Sequence, residues 1–142
     1  MFGGGLTLAK AIRTNGVDEY IASQALFLQN IPEVLFVLII CASIIFLTEL
    51  TSNTATTATF VPILAGIGIG AGIHPYLLIF PATIAASFAF MMPIATPPNA
   101  IVFGSGHITI PEMCKAGLWL NIIGVGLITA FTFLVIKPVI GF

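Results

Sequence analysis

Residues 48–59 read Thr-Glu-Leu-Thr-Ser-Asn-Thr-Ala-Thr-Thr-Ala-Thr and separate two long apolar runs. Hydroxyl groups, one amide and one carboxylate are concentrated here, although only 6% of the chain is charged. Inside a bilayer an unpaired polar group is costly, so such a cluster must face protein, water or a ligand. A second polar interruption, Ala95-Thr96-Pro97-Pro98-Asn99, follows further along the chain. We predict that the two interruptions are facing halves of one binding site.

The composition is that of a polytopic membrane protein. Hydrophobic residues make up 58% of the chain and the mean hydropathy is +1.16, which excludes a soluble domain. A net charge of -1 offers no basic surface to nucleic acid. The cysteines, Cys41 and Cys114, lack the spacing of a metal motif. No signal peptide is predicted after Met1, and the chain is expected to be part of a larger protein.

Residues 1–31 are predicted to contain the end of a preceding membrane element and then amphipathic helices along the membrane surface. Apolar residues recur there at helical spacing, and Asn15-Gly16 marks a break between two short helices. An ordinary solvated loop is the alternative for this segment.

Residues 32–73 predict a re-entrant helical hairpin. The apolar run from Val34 to Leu47 is roughly 21 Å long at about 1.5 Å per residue, short of the ~30 Å hydrocarbon core. This first helix should therefore stop partway and place the tip of the hairpin at residues 51–54. A second apolar helix is expected to run from Thr54 to about Ile73.

Residues 74–106 predict a discontinuous transmembrane helix. An apolar helix is expected from Tyr76 to Ala95, with the break at 95–99, because Pro97 disfavours a helical conformation at the residue before it. A short half-helix is expected to begin at Pro98, where the missing N–H has no consequence.

Residues 107–142 predict a connecting loop, from His107 to Lys115, and a last transmembrane helix. The apolar run from Gly117 to Ile136 is long enough to span a bilayer, and Lys137-Pro138 is expected to end it. The predicted fold class is therefore an all-α membrane protein.

The two interruptions would bring together two kinds of helix end. New half-helices begin after Asn53 and after Pro98, so positive dipole ends and unpaired N–H groups favour an anion such as a carboxylate. The helices that end near Leu50 and Ala95 leave carbonyl oxygens without partners. With the side-chain oxygens of Asn53 and Thr48, these carbonyls would form a site for a small cation, as in transporters.

The same residues carry a resemblance to a known family. The segments 51–57 (Thr-Ser-Asn-Thr-Ala-Thr-Thr) and 93–104 (Pro-Ile-Ala-Thr-Pro-Pro-Asn-Ala-Ile-Val-Phe-Gly) resemble second-half signatures of the divalent anion/sodium symporter family, the sodium-coupled di- and tricarboxylate transporters. Residues 2–6 and 115–121 are also similar to it. The resemblance covers essentially the whole chain. It implies the C-terminal half of the second repeat of an inverted-repeat transporter.

The resemblance also implies roles for individual residues. The residues implied to bind substrate are Ser52, Asn53, Thr54, Thr96 and Pro97. The residues implied to bind sodium are Thr48, Thr51, Asn53 and Ala95. Of these, Thr51 would act through its backbone carbonyl, and Asn53 and Ala95 would do so at least in part.

The predicted function is accordingly part of a sodium-coupled symporter for dicarboxylates or similar divalent organic anions. No enzymatic activity and no cofactor are expected, and sodium is the expected coupling ion. The first half of the family's fold and its dimerising scaffold helices are absent from this chain, so a homodimer is expected only for a full-length protein. The expected location is a lipid bilayer, as a multi-pass protein of a bacterial inner membrane.

Three other hypotheses differ in their chemistry. Glu49 lies inside an apolar run and could carry a proton in a proton-coupled anion transporter, or it could hydrogen-bond nearby backbone at the hairpin tip. A passive channel or structural membrane subunit would not need a Pro-Pro break opposite a hydroxyl cluster. An intramembrane serine hydrolase is disfavoured, because Ser105 and His107 are too close in sequence for a nucleophile–base pair.

Overall fold

The computed structural model describes residues 7, 10, 11, 14–17, 20 and 31–141. Every regular element among these residues is helical, so the predicted all-α class is confirmed. Among them, two helical stretches, Asn53–Ala71 and Ile110–Ile140, are long and apolar enough to cross a membrane. The elements within residues 31–141 are α1 (Glu33–Thr48), α2 (Asn53–Ala71), α3 (Tyr76–Ala85), α4 (Pro97–Gly104), α5 (Ile110–Phe131), a π-helical turn (Thr132–Ile136) and α6 (Lys137–Ile140).

Part of the N-terminal segment can be compared with its prediction. Asn15 and Gly16 form a turn between helical residues, and Gly16 has a φ of +65°. Glycine suits this conformation because it lacks a Cβ. The break predicted at Asn15-Gly16 is therefore confirmed. The predicted amphipathic helices of residues 1–31 otherwise lie largely outside the described residues.

The polar interruption at residues 49–52 separates α1 from α2. The two apolar runs are thus separate helices, and their turn lies slightly before the predicted tip at 51–54. α1 packs on α3 and α5, whereas α2 packs mainly on α3. Gly72 ends α2 with a φ of +70°, the left-handed conformation that commonly closes a helix. How deeply this hairpin enters a membrane stays a prediction.

The third helix is shorter than the sequence predicts. The apolar run predicts a helix to Ala95, but α3 ends at Ala85, and residues 86–96 form turns, bends and irregular backbone. The break therefore lies at residues 86–96, so it is longer and begins earlier than the predicted break at 95–99, and residues 97–99 are already helical. Pro93 removes one amide donor and disfavours a helical residue before it. We call residues 86–96 the unwound segment.

The last long helix begins earlier than predicted. α5 starts at Ile110, so the predicted loop from His107 to Lys115 is wrong from residue 110 onward. Thr109 and Glu112 form a capping box, in which the Thr109 N–H donates to Glu112 Oε2 at 2.9 Å. This arrangement pairs backbone groups that the first helical turn would otherwise leave unpaired.

The same helix also continues past its predicted end at Lys137-Pro138, through the π-helical turn into α6. The Lys137 N–H donates to the Thr132 carbonyl, five residues earlier. Pro138 has no N–H and its ring crowds the carbonyl four residues before it, which explains a wider turn here. Lys137 Nζ also lies 2.5 Å from Glu33 Oε2, which joins this end of the helix to the start of α1.

Small residues let α5 approach the unwound segment closely. A Cβ added to Gly117 would lie 2.4 Å from the Phe90 carbonyl oxygen, and one added to Gly124 would lie 2.7 Å from the Phe88 ring. In lipid, close packing of this kind takes the place of the hydrophobic effect as the force between helices. The most deeply buried apolar side chains include Val37, Cys41, Ile45, Leu77, Leu78, Ala85, Ala86 and Ala89.

Candidate functional site

The hairpin turn and the end of the unwound segment line one cleft of about 400 Å³. Residues 49–54 form one side of it and residues 94–97 the other. All five residues predicted to bind substrate are in this lining, together with three of the four predicted sodium ligands. The fourth, Thr48, is fully buried and hydrogen-bonded to Asn53. The predicted residues in the lining are Thr51, Ser52, Asn53, Thr54, Ala95, Thr96 and Pro97.

Two helices begin at this cleft, α2 at Asn53 and α4 at Pro97. Their positive dipole ends both favour an anion there. Hydrogen-bond donors, however, come mainly from α2. Pro97 and Pro98 have no N–H, and the Asn99 N–H lies 3.4 Å from Thr96 Oγ1, which caps the helix. The prediction that both helix starts offer N–H groups to an anion therefore applies to α2 alone, whereas α4 contributes its dipole.

Three oxygen atoms converge at Thr48. Its Oγ1 lies 2.7 Å from Asn53 Oδ1 and 2.9 Å from the Ala86 carbonyl oxygen. A hydroxyl has one hydrogen, so Thr48 can donate to only one of these two acceptors at a time. This leaves an oxygen-rich cluster with fewer protons than acceptors. Neutral and partly charged oxygens are the ligands that a hard cation prefers.

The side chain of Thr51 is engaged within the hairpin. Its Oγ1 donates to the Leu47 carbonyl at 2.9 Å and lies 2.7 Å from Thr56 Oγ1. The backbone carbonyl of Thr51 is then its available oxygen, as the resemblance implies. Ala95 can likewise offer only its backbone carbonyl, because its side chain has no oxygen atom.

Glu49 is 4% exposed and its carboxylate lies in a nest of consecutive backbone amides. Oε1 accepts from the N–H groups of Phe90 and Met91 at 2.8 and 3.0 Å. Oε2 accepts from the N–H groups of Met91 and Met92, both at 3.1 Å. Asn121 Nδ2 donates to Oε1 at 2.7 Å. Glu49 thus hydrogen-bonds backbone, as one hypothesis held, but the backbone is that of the unwound segment and not of the hairpin tip.

Sequence reasoning missed two asparagines and one alanine of this region. Asn99 Nδ2 donates to the carbonyls of Ala89 and Met92 at 2.8 and 3.0 Å. Asn121 is fully buried on α5 and reaches Glu49. A lone Asn inside the apolar run of α5 was the available signal, because a buried amide needs partners. The carbonyl of Ala86 gave no signal, since an alanine side chain says nothing about its backbone.

The described residues give little support to a hydrolase site or to a site for a heavy metal. His107 Nδ1 lies 2.9 Å from the Ser105 carbonyl oxygen, and Ser105 Oγ donates to the Val102 carbonyl at 2.8 Å. The two side chains therefore do not form a nucleophile–base pair. Within the described part of the chain, no three His, Cys, Asp or Glu side chains are grouped as a metal site. A second cavity, of about 460 Å³ between α4 and α5, is lined mainly by apolar side chains.

Comparisons with known proteins identify a family profile and similar transporters. The sequence profile described as the sodium:sulfate symporter transmembrane region matches residues 1–141. The sodium-dependent dicarboxylate transporter SdcS of Staphylococcus saprophyticus is 42% identical over 141 residues, which is 99% of this chain and 27% of that protein. The protein of the same name from Staphylococcus aureus strain USA300 is 44% identical over 141 residues, with the same coverage of 99% and 27%.

The chain thus spans about a quarter of the length of these relatives, 27% in each case. Both are named as transporters, which bears out the expectation that the chain is not an enzyme. The family match and the exposed apolar helices indicate an integral membrane protein.

Proposed function

This chain belongs to the sodium:sulfate symporter family, and on that premise we propose that it supplies half of the binding site of a sodium-coupled symporter. The cargo we propose is a dicarboxylate or similar divalent organic anion. The observation that carries the proposal is the cluster of Thr48 Oγ1, Asn53 Oδ1 and the Ala86 carbonyl, beside the cleft where α2 begins. A group of oxygen atoms that suits a cation thus lies next to a helix N-terminus that suits an anion.

The sodium ligands we propose lie at this cluster and at the rim of the cleft. Thr48 and Asn53 would contribute side-chain oxygens, and the backbones of Thr51 and Ala95 would contribute carbonyls. The Ala86 carbonyl is an additional candidate, because it already lies 2.9 Å from Thr48 Oγ1. All of these are hard oxygen donors, which suit an alkali cation.

The substrate carboxylate would bind at the start of α2. Ser52, Asn53 and Thr54 form this helix start, and all three residues line the cleft. Thr96 and Pro97 would form the opposite side, where the α4 dipole adds attraction without N–H donors. The second carboxylate of the substrate would extend toward parts of the transporter beyond this chain.

The test uses the full-length protein that carries this sequence, purified and reconstituted into proteoliposomes. Initial uptake of labelled succinate is measured against sodium concentration at fixed pH, and again across pH at fixed sodium. We expect saturable uptake that needs sodium, is not supported by potassium, and competes with other dicarboxylates. Sulfate and citrate serve as competitors that define the cargo. Full uptake without sodium, driven by a proton gradient, would contradict the proposal.

The rival use of Glu49 as a proton carrier has little support from its contacts. Its carboxylate accepts from three backbone amides and from Asn121. Protonation would convert one acceptor into a donor that faces these N–H groups. We therefore expect Glu49→Gln to leave uptake dependent on sodium rather than transfer it to the proton gradient.

The location and assembly of the full-length protein complete the proposal. A multi-pass protein in the inner membrane of a bacterium fits the Staphylococcus relatives, and a homodimer is expected for the full-length chain. Crosslinking of the full-length protein in native membranes would test the dimer, and a single monomeric species would count against it.

A further inference from the structure

The unwound segment is held from three sides. Glu49 accepts hydrogen bonds from its amides at Phe90 to Met92. Asn99 donates to its carbonyls at Ala89 and Met92. Gly117 of α5 lies so close that an added Cβ would be 2.4 Å from the Phe90 carbonyl oxygen. Backbone hydrogen bonds of turn or helical type occur only near the two ends of this segment, so its middle has a defined conformation because other elements supply its partners.

The two ends of this segment reach the two parts of the proposed site. Its first residue, Ala86, contributes the carbonyl next to Thr48. Its last residues, Ala95 and Thr96, line the cleft. Glu49 itself is the next residue after Thr48 in the chain. The position of residues 90–92 relative to the hairpin turn thus fixes the spacing of oxygen atoms that come from both elements.

We propose that Glu49 is a positioning residue, which holds the unwound segment against the hairpin turn and so sets the geometry of the sodium ligands. The inference rests on the proposed function, since it concerns sodium binding at that same site. It assigns Glu49 no contact with sodium or substrate. Its role is to accept hydrogen bonds from groups that would otherwise have no partner.

To hold the unwound segment, both side-chain oxygens of residue 49 must accept hydrogen bonds. The carboxylate makes five contacts from four donors, and no other side chain of similar length offers two acceptor oxygens. Glutamine has nearly the same shape but would turn an NH₂ group toward backbone N–H groups. Asn121 donates its Nδ2 to Glu49, and its Oδ1 has no partner among the described residues. Its amide orientation is thus set by the carboxylate.

The first measurement is the sodium half-saturation of succinate uptake in the full-length protein. We expect Glu49→Gln to raise it by about tenfold or more, since contacts to a charged group are lost. Asn121→Ala removes one donor and keeps the carboxylate, so its shift should be smaller. Glu33→Gln is the matched control. Glu33 lies at the opposite end of α1 in a part-exposed ion pair, and its substitution should leave the half-saturation unchanged.

The second measurement reads the segment directly, without transport. Cys114 Sγ lies 3.4 Å from the Met91 carbonyl oxygen, and Cys41 is fully buried. With the cysteines outside this chain replaced, the rate of maleimide labelling at Cys114 therefore reports how firmly residues 90–92 are held. We expect faster labelling in Glu49→Gln than in the wild type, an intermediate rate in Asn121→Ala, and no change in Glu33→Gln.

The outcomes separate positioning from general stability. A residue that only stabilises the fold would reduce the amount of folded protein, but the folded fraction would keep its sodium half-saturation. Unchanged half-saturation and labelling in folded Glu49→Gln overturns the inference. If that variant does not fold, unchanged values in Asn121→Ala overturn it equally. If wild-type uptake proves independent of sodium, the proposed function fails, and the labelling rates alone then decide whether Glu49 holds the segment.

Discussion

Replacing Thr48 by valine removes one hydroxyl from a fully buried position with almost no change of shape. In the empty site, Asn53 Oδ1 and the Ala86 carbonyl lose the donor that they share. In the occupied site, sodium would lose one of the oxygen ligands that we propose for it. Both states are thus destabilised, and the shift in sodium affinity is the difference between the two costs.

The magnitudes can be compared from typical values. A contact to a charged group contributes about 1.5–3 kcal/mol, and a neutral hydrogen bond contributes about 1 kcal/mol. The occupied site therefore loses about 0.5–2 kcal/mol more than the empty site, which corresponds to a roughly 2–30-fold rise in the sodium half-saturation. The free energy of unfolding should fall by about 1 kcal/mol, because the empty site has lost one hydrogen bond.

The assay is initial succinate uptake against sodium concentration, with Thr129→Val as the matched control. Thr129 is also buried, but its hydroxyl donates to the Val125 carbonyl of its own helix at 2.8 Å. The control should leave the sodium half-saturation unchanged, and Thr48→Ser should restore most of the wild-type value. An unchanged half-saturation in folded Thr48→Val, or an equal shift in Thr129→Val, would refute the reasoning.

Two further predictions concern the substrate and the close approach of α5. Asn53→Ala or Thr54→Ala should raise the half-saturation for succinate about fivefold or more at saturating sodium, since a partner of a buried carboxylate is lost; unchanged uptake kinetics in both would remove these residues from the site. Gly117→Ala should destabilise the purified protein by about 1–3 kcal/mol because its Cβ overlaps the Phe90 carbonyl. Gly126→Ala, which meets nothing within 4 Å, should be neutral or stabilising by about 0.5–1 kcal/mol. Thermal unfolding in detergent compares the two, and equal melting temperatures would contradict the predicted overlap.

The positions of the breaks could be predicted because their signals are local. A cluster of hydroxyls between apolar runs and a Pro-Pro pair each act on the few residues around them. The sequence therefore indicated that α1 and α2 are separate helices and that a helix begins near Pro97. The same kind of signal located the turn at Asn15-Gly16.

The extent of the unwound segment could not be predicted, because it depends on contacts between distant residues. Residues 86–91, before the pair Met92-Pro93, are mostly alanine, phenylalanine and methionine, and their own helix propensities do not exclude a helix. The side chains of Glu49 and Asn99 pair with their backbone, and Gly117 lets α5 pack closely against them. Glu49 and Gly117 lie far away in sequence and Asn99 lies beyond the Pro-Pro pair, so the periodicity of the segment itself carries no trace of them.

The contacts of Glu49 also decide the charge balance of the cleft. The starts of α2 and α4 each contribute about half a positive charge. Together they balance only about one of the two negative charges of the proposed dianionic substrate. Of the described residues that line the cleft, none is lysine or arginine. Glu49 lies in the same lining, but its negative charge is already met by three backbone amides and Asn121. A proton on Glu49 would therefore remove a negative charge that is already stabilised. It would leave the second negative charge of the dianion without a balancing positive charge. A cation at the oxygen cluster of Thr48 would add a positive charge beside the anion, and this charge balance supports the proposal that sodium, rather than a proton, is the coupling ion.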